Sequence, residues 1–309
     1  MSVILKNLWI GGAVIVIAVI AQVLWMTIDV IRRVAHAKAQ RHREADWFDL
    51  KVTAARKQKN AEQLKTVAWS GWRKFEIQHK RIEDPNAQMC SFYLVPHDSK
   101  PIPSFDPGQF LTFQLHIPNQ PKPVIRCYSL SDSPQPDHYR VTIKRVGPPR
   151  DKPDAPPGVS SNFFHDHVQE GSILDVKAPA GSFHLDMSND APVVLIGGGV
   201  GLTPVLSMLN AIVVSGDDRE TWLFYGLRNK GEHAMKAHLE TIAREHPNVH
   251  LHVCYSSPAE SDVAGTDYHH AEWVSVDLFR RLLPSNNYDF FMCGPGPMME
   301  SLVKDLDSW

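Results

Sequence analysis

The chain has 309 residues, of which 43% are hydrophobic and 21% charged, and a formal net charge of −2. That length suits one large domain or two ordinary ones, and so small a charge supplies no basic field for nucleic acid. The four cysteines, Cys90, Cys127, Cys254 and Cys293, form no C-x-x-C pair, which argues against a zinc ribbon, an iron–sulfur centre or a disulfide framework and suits a reducing compartment.

Residues 8–28, "LWIGGAVIVIAVIAQVLWMTI", are almost wholly apolar, with Gln22 as the strongly polar exception. About 20 such residues in a helix cross the hydrocarbon core of a bilayer. Trp9 and Trp25 stand near the two ends, where indole rings favour the interface. Residues 1–31 are therefore expected to hold a single transmembrane anchor. A cleaved signal peptide fits less well, because the weak site "AHA" at 35–37 lies beyond Arg32 and Arg33. Arg32, Arg33, Lys38, Arg41 and Arg43 follow the span and only Lys6 precedes it, which predicts that the body of the protein faces the cytoplasm. Residues 32–68 are rich in Ala, Lys, Arg, Glu and Gln and read as a charged stalk, solvated or lying against lipid headgroups.

From 69 to 187 the pattern is that of strands. "WRKFEIQHKRI", "AQMCSFYLVP", "QFLTFQLHIP", "VIRCYSLS", "YRVTIKRV" and "GSILDVKAP" are short runs separated by turn residues. They predict a six-stranded antiparallel barrel or sandwich, with a short helix at "NFFHDHV". From 188 to 309 the pattern changes. "PVVLIGGG", "ETWLFYGLR", "NVHLHVCYS" and "YDFFMCG" read as strands, each followed by a helical run. Such alternation predicts a doubly wound parallel sheet whose ligand lies beyond the carboxyl ends of the strands.

Four stretches carry chemistry. In "RCYSLSDSP", 126–134, Arg126 and Tyr128 share one face of a strand and Ser129 faces away or enters a turn. An arginine fork suits phosphate and a tyrosine ring suits stacking; a salt-bridged arginine beside a packed tyrosine reads equally well. "GVSSNFF" offers Ser160, Ser161 and Asn162 as caps of a helix, or that helix start as an anion site. "GGGVGLTP", 197–204, is a strand–turn–helix glycine motif in which Thr203 reads as the N-cap and Pro204 as the first helical residue; a tight turn without a ligand is the plainer reading. "FMCGPGPMM", 291–299, repeats the arrangement at the last strand, with Cys293 at its carboxyl end as a cleft residue, a buried thiol or, without a readable acid–base partner, a poorly supported nucleophile. The histidines, His165 and His167 included, lack ligand partners in a metal-binding context, so no metal is expected.

In order, R-x-Y-S, G-x-x-S, G-G-x-G-x-T-P and C-G-P over residues 69–309 resemble the ferredoxin–NADP⁺ reductase superfamily, in particular the flavin reductase modules of oxygenase reductases and flavohaemoglobins. The resemblance implies a barrel that binds FAD, with FMN as second choice, and an α/β domain that takes NADH or NADPH. It implies that Arg126 pairs with the flavin pyrophosphate, Tyr128 packs on the ring and Ser129 acts near the atom that receives hydride. Gly158, Val159, Ser160 and Ser161 would hold the pyrophosphate, and Lys144 would lie near the flavin phosphate or ribose. Gly198, Gly199, Gly201 and Thr203 would seat the nicotinamide nucleotide, and Cys293, Gly294 and Pro295 would border the nicotinamide, Cys293 joining Ser129 at the reacting centre. Arg228, in "YGLRN", hints at NADPH, yet similar NADH users carry the same pattern, which tips the expectation towards NADH. His184 stands where relatives show an aromatic ring. Relatives also have a strand after the C-G-P helix, so the resemblance reads Trp309 as the end of a form without it. The chain is thus expected to be a membrane-anchored flavoprotein reductase feeding a protein or quinone acceptor. A non-catalytic binding subunit, a truncated reductase fragment and a reductase of loosely held flavin are the rivals.

Overall fold

The computed structural model describes residues 69–148 and 152–309. The apolar stretch 8–28 and the charged stretch after it lie outside the described residues. Among those described, no helix is long and apolar enough to cross a membrane.

Six antiparallel strands come first: β1 (Arg73–Ile82), β2 (Met89–Pro96), β3 (Phe110–Leu115), β4 (Val124–Ser129), β5 (Tyr139–Lys144) and β6 (Ile173–Ala180). Their order is β4-β3-β6-β1-β2-β5. Alternation sets the faces: Leu111, Phe113 and Leu115 of β3 are fully buried while Phe110, Thr112 and Gln114 between them are not. The sheet curls until its terminal strands meet, bridged between Leu130 and Val141. Helix α1 (Val159–His167) closes the core with Phe164, whose ring lies 5.2 Å from Phe92, 5.4 Å from Phe113 and 5.2 Å from Tyr128.

The second part is a parallel sheet of β7 (Val193–Gly198), β8 (Thr221–Leu227), β9 (Val249–Tyr255) and β10 (Asp289–Cys293), in the order β10-β7-β8-β9. Leu195, Leu223 and Tyr225 face one way and pack with α2 (Leu202–Ser215) and α3 (Lys236–Glu245). Val194, Ile196, Trp222 and Phe224 face the other way and pack with α4 (Val276–Leu282) and α5 (Gly296–Leu306). Both faces are covered, so the strands carry apolar runs rather than alternation. The winding reverses between β7 and β10, the position where such sheets open a ligand crevice.

A strap at 130–133 joins the two parts. Asp132 accepts hydrogen bonds from Ser207 Oγ at its carbonyl (2.7 Å) and from Asn210 Nδ2 at its carboxylate (2.9 Å), and it pairs with Arg140 at 3.2 Å. The strap covers the outward face of β5, where Arg140 pairs with Asp132 and Thr142 shares a hydrogen bond of 2.8 Å with Ser131, and both are buried like the inward residues of that strand.

Two expected caps are corrected. Thr203 does not cap α2: a 3-10 turn at Gly199–Gly201 leads directly into a helix that starts at Leu202, and Thr203 Oγ1 donates to the Val200 carbonyl (3.0 Å). Pro204 is accordingly its third residue. Ser160, Ser161 and Asn162 do not precede α1 either, because the helix begins at Val159 and Gly158 occupies the cap without a side-chain bond.

Candidate functional site

A cleft of about 630 Å³ opens between β4, β5 and the start of α1 on one side and the carboxyl ends of β7 and β10 on the other. Its lining includes Arg126, Tyr128, Ser129, Lys144, Gly158, Val159, Ser160, Ser161, Gly198, Gly199, Gly201, Thr203, Cys293, Gly294 and Pro295. Stretches far apart in the chain are thus gathered into one wall pair. Arg228 stands apart, in a second cleft of about 530 Å³ that shares Lys144, Gly198, Gly199 and Pro295 with the first.

The arginine on β4 is exposed, and its guanidinium Nη1 donates to the neighbouring Ile125 carbonyl at 2.7 Å. No carboxylate pairs with it among the described residues, which leaves most of its five donors to the cleft. Tyr128 presents an edge to the core, and burial pushes its hydroxyl up to about 12, against the weaker pull of Arg126. It is therefore a neutral donor at any ordinary pH. Ser129, at the end of β4, is half-buried.

The start of α1 is fixed from several sides. Asn162 Nδ2 donates to the carbonyls of Gly158 (2.6 Å) and Val146 (2.8 Å), and Arg145 donates to Asn162 Oδ1 (3.0 Å). Ser161 Oγ donates to the Gly158 carbonyl at 3.4 Å. The Ser160 hydroxyl is buried with no partner among the described residues. A buried unpaired hydroxyl is costly unless something else satisfies it, and this one lies at a helix start that lines the cleft.

The glycines of the β7 turn have two different reasons. A Cβ on Gly201 would stand 2.2 Å from the Cys293 carbonyl oxygen, so that glycine exists for the close approach of the two turns to each other. Gly199 has φ +54°, and a Cβ there would meet nothing within 4 Å: its surroundings are open space on the wall of the cleft. Cys293 is half-buried, and burial raises its thiol; it offers shape and a weak donor rather than a thiolate.

Lys144 sits at the junction of the clefts, its Nζ 3.7 Å from the Glu232 carboxylate, which lies 3.5 Å from Arg228. Glu232 was not singled out from the sequence; its only trace there is an acid four residues after Arg228. Cys127, Val146 and Val200 of the first cleft, and Glu272 and Trp273 of the second, were also not read. His184 lines neither cleft. Among the described residues no three His, Cys, Asp or Glu side chains are grouped to hold a metal.

A guanidinium with most of its donors unused, an unpaired buried hydroxyl at a helix start, a tyrosine and an open glycine turn suit a ligand that carries a pyrophosphate and a flat ring system. Residues 74–185 match the oxidoreductase FAD-binding domain family and residues 195–304 the oxidoreductase NAD-binding domain family. The flavohemoprotein of Halalkalibacterium halodurans is 37% identical over 241 residues, which cover 78% of this chain and 57% of that protein. The flavohemoprotein of Bordetella pertussis is 36% identical over 239 residues, which cover 77% of this chain and 58% of that one. The chain therefore spans less than two thirds of these curated relatives. The solved flavohem-like FAD/NAD-binding domain of nitric oxide dioxygenase from Vibrio cholerae O1 biovar El Tor has a TM-score of 0.66 at 29% identity, covering 77% of this chain and 93% of that one.

Proposed function

We propose that this chain, which carries the FAD-binding and NAD-binding domains of an FAD-dependent NAD(P)H oxidoreductase of the flavohemoprotein reductase type, delivers electrons from NADH to a separate redox acceptor, a protein or a quinone. The observation that carries the reading is the gathering of the β4 arginine, the α1 start and both glycine turns around one cleft.

Arg126 and the α1 start, with Gly158, Val159, Ser160 and Ser161, would hold the FAD pyrophosphate, and Tyr128 and Ser129 would flank the ring. Gly198, Gly199, Gly201 and Thr203, with Arg228, would seat the nicotinamide nucleotide, and Cys293, Gly294 and Pro295 would border its reacting end. When bound, FAD supplies the hydride acceptor and the means of passing electrons on singly, while the protein supplies orientation and electrostatics. The raised Tyr128 and Cys293 groups stay protonated near neutrality, so neither places a negative charge beside the flavin. Residues 8–28 would tether this module to a membrane with residues 69–309 on the cytoplasmic side.

Anaerobic addition of NADH to the purified full chain tests the reading. A yellow protein that bleaches at once is expected, and NADPH is expected to act more slowly. A colourless protein that takes up no added FAD, or a yellow one that neither nucleotide bleaches, would sink it.

A further inference from the structure

The second cleft contains both signals by which a parallel-sheet nucleotide site chooses its ligand. An arginine after the second strand accommodates a ribose 2′-phosphate, and a carboxylate there accepts from a ribose 2′-hydroxyl. Here Arg228 follows β8, and Glu232, four residues on, lies against it at 3.5 Å. The same carboxylate lies 3.7 Å from Lys144, which comes from β5 in the other part of the molecule. Glu232 is the better buried partner, with 18% of its side chain exposed against 46% for Arg228.

Its position is built, not incidental. Glu232 ends a 3-10 turn, Lys230–Glu232, capped by Asn229, whose Oδ1 accepts from the Gly231 amide at 3.1 Å. The Asn86 amide, from the β1–β2 turn, donates to the Gly231 carbonyl at 3.2 Å. A Cβ on Gly231 would stand 2.5 Å from Asn86 Nδ2, so the turn and the antiparallel part are in tight contact. Lys230 anchors the same turn on the buried Asp267 at 3.0 Å. These contacts fix the backbone from which the Glu232 carboxylate reaches Arg228 and Lys144.

We infer that Glu232 sets donor choice: by occupying Arg228 and Lys144 it disfavours a 2′-phosphorylated nucleotide and favours the free ribose 2′-hydroxyl. This rests on the reading of the cleft as a nucleotide site. A 2′-phosphate seeking Arg228 would have to part it from Glu232 and then sit beside a carboxylate left with Lys144 as its remaining cation, a like-charge contact of the kind that confers specificity by repulsion. A 2′-hydroxyl meets the carboxylate as a hydrogen-bond acceptor and leaves both ion pairs intact. Lys144 makes the choice depend on both parts of the molecule being in place.

The test is calorimetric titration of the FAD-loaded full chain with 5′-AMP and with adenosine 2′,5′-bisphosphate, the adenosine halves of the two donors. The wild-type chain is expected to bind 5′-AMP more tightly. Glu232→Gln should move the ratio towards the bisphosphate by about tenfold, as one like-charge contact predicts, and the NADH to NADPH ratio of kcat/KM should move in the same direction. Adding Arg228→Ala should abolish that gain. A wild-type chain that prefers the bisphosphate, which needs no variant to fold, overturns the inference, as does a ratio that Glu232→Gln shifts by less than threefold. If neither probe binds and neither donor bleaches the flavin, it is the reductase reading that falls, and this inference with it.

Discussion

Arg126 has the strongest claim on a ligand of any single residue, because its position gives it little else to do. It projects from β4 beside the helix start, and the bond to Ile125 uses one donor. Charge-assisted hydrogen bonds are worth about 1.5–3 kcal/mol each, so Arg126→Ala should weaken FAD binding roughly ten- to hundredfold. Equilibrium dialysis of the full chain against FAD measures this, and a variant that holds FAD as well as wild type would remove Arg126 from the site. Arg126→Lys should recover only part of the loss, since an ammonium cannot reproduce the fork of a guanidinium. The arginine could be picked out in the sequence because R-x-Y-S puts a fork and a ring two residues apart. Ser160 could be named but not understood: read as a cap, it is a first-turn hydroxyl of α1, and its lack of a partner is visible only when burial is known. Glu232 was missed because its pairing with Lys144 is long-range and reaches across the two parts of the molecule.

At the scale of elements, β9 is the terminal strand of the parallel sheet and carries an aromatic and histidine ladder. Trp222 stacks on His250 at 4.3 Å, and Phe224 on His252 at 5.2 Å. His252 Nδ1 lies 3.0 Å from His270 Nε2, so one ring donates to the other. Burial first, and then the neighbouring His270, hold His252 down to about 4. Burial also brings His233 to about 4 and lowers His165, His238, His269 and His270. An unfolded histidine titrates near about 6.5. These groups bind fewer protons folded than unfolded, so the stability they permit is complete above about pH 6.5 and is lost as pH falls towards 4. Urea midpoints at pH 7.5 and pH 5 should show a clear fall at the lower value; an unchanged or higher midpoint at pH 5 would contradict this. The strands themselves were legible, since apolar runs and alternation are local. The 3-10 turn at Gly199–Gly201 was not, because the turn is set by the approach of Gly201 to the β10 turn, a contact that spacing does not encode.

In the molecule as a whole, the two-part architecture followed from the change of pattern near residue 190, whereas the curl of the first sheet and its Leu130–Val141 seam depend on strand pairing that no local pattern encodes. The proposed tether belongs to this scale too. The full chain expressed in bacteria should stay with the membrane fraction through an alkaline carbonate wash, and protease added from outside sealed spheroplasts should leave residues 69–309 intact. Release into the wash would contradict the tether, and digestion would contradict its orientation.

The strap at 130–133 carries a further consequence for anyone who treats the module as two exchangeable cassettes. The matched domain families end and begin at residues 185 and 195, yet Asp132 accepts bonds from Ser207 at 2.7 Å and Asn210 at 2.9 Å, both on the far side of that border. Arg140, 7% exposed, leans on the same aspartate. A chimaera cut at the family boundary would inherit half of a buried polar lock. The natural crossover point is therefore not a position in the chain but a matched set of side chains that must be transplanted together.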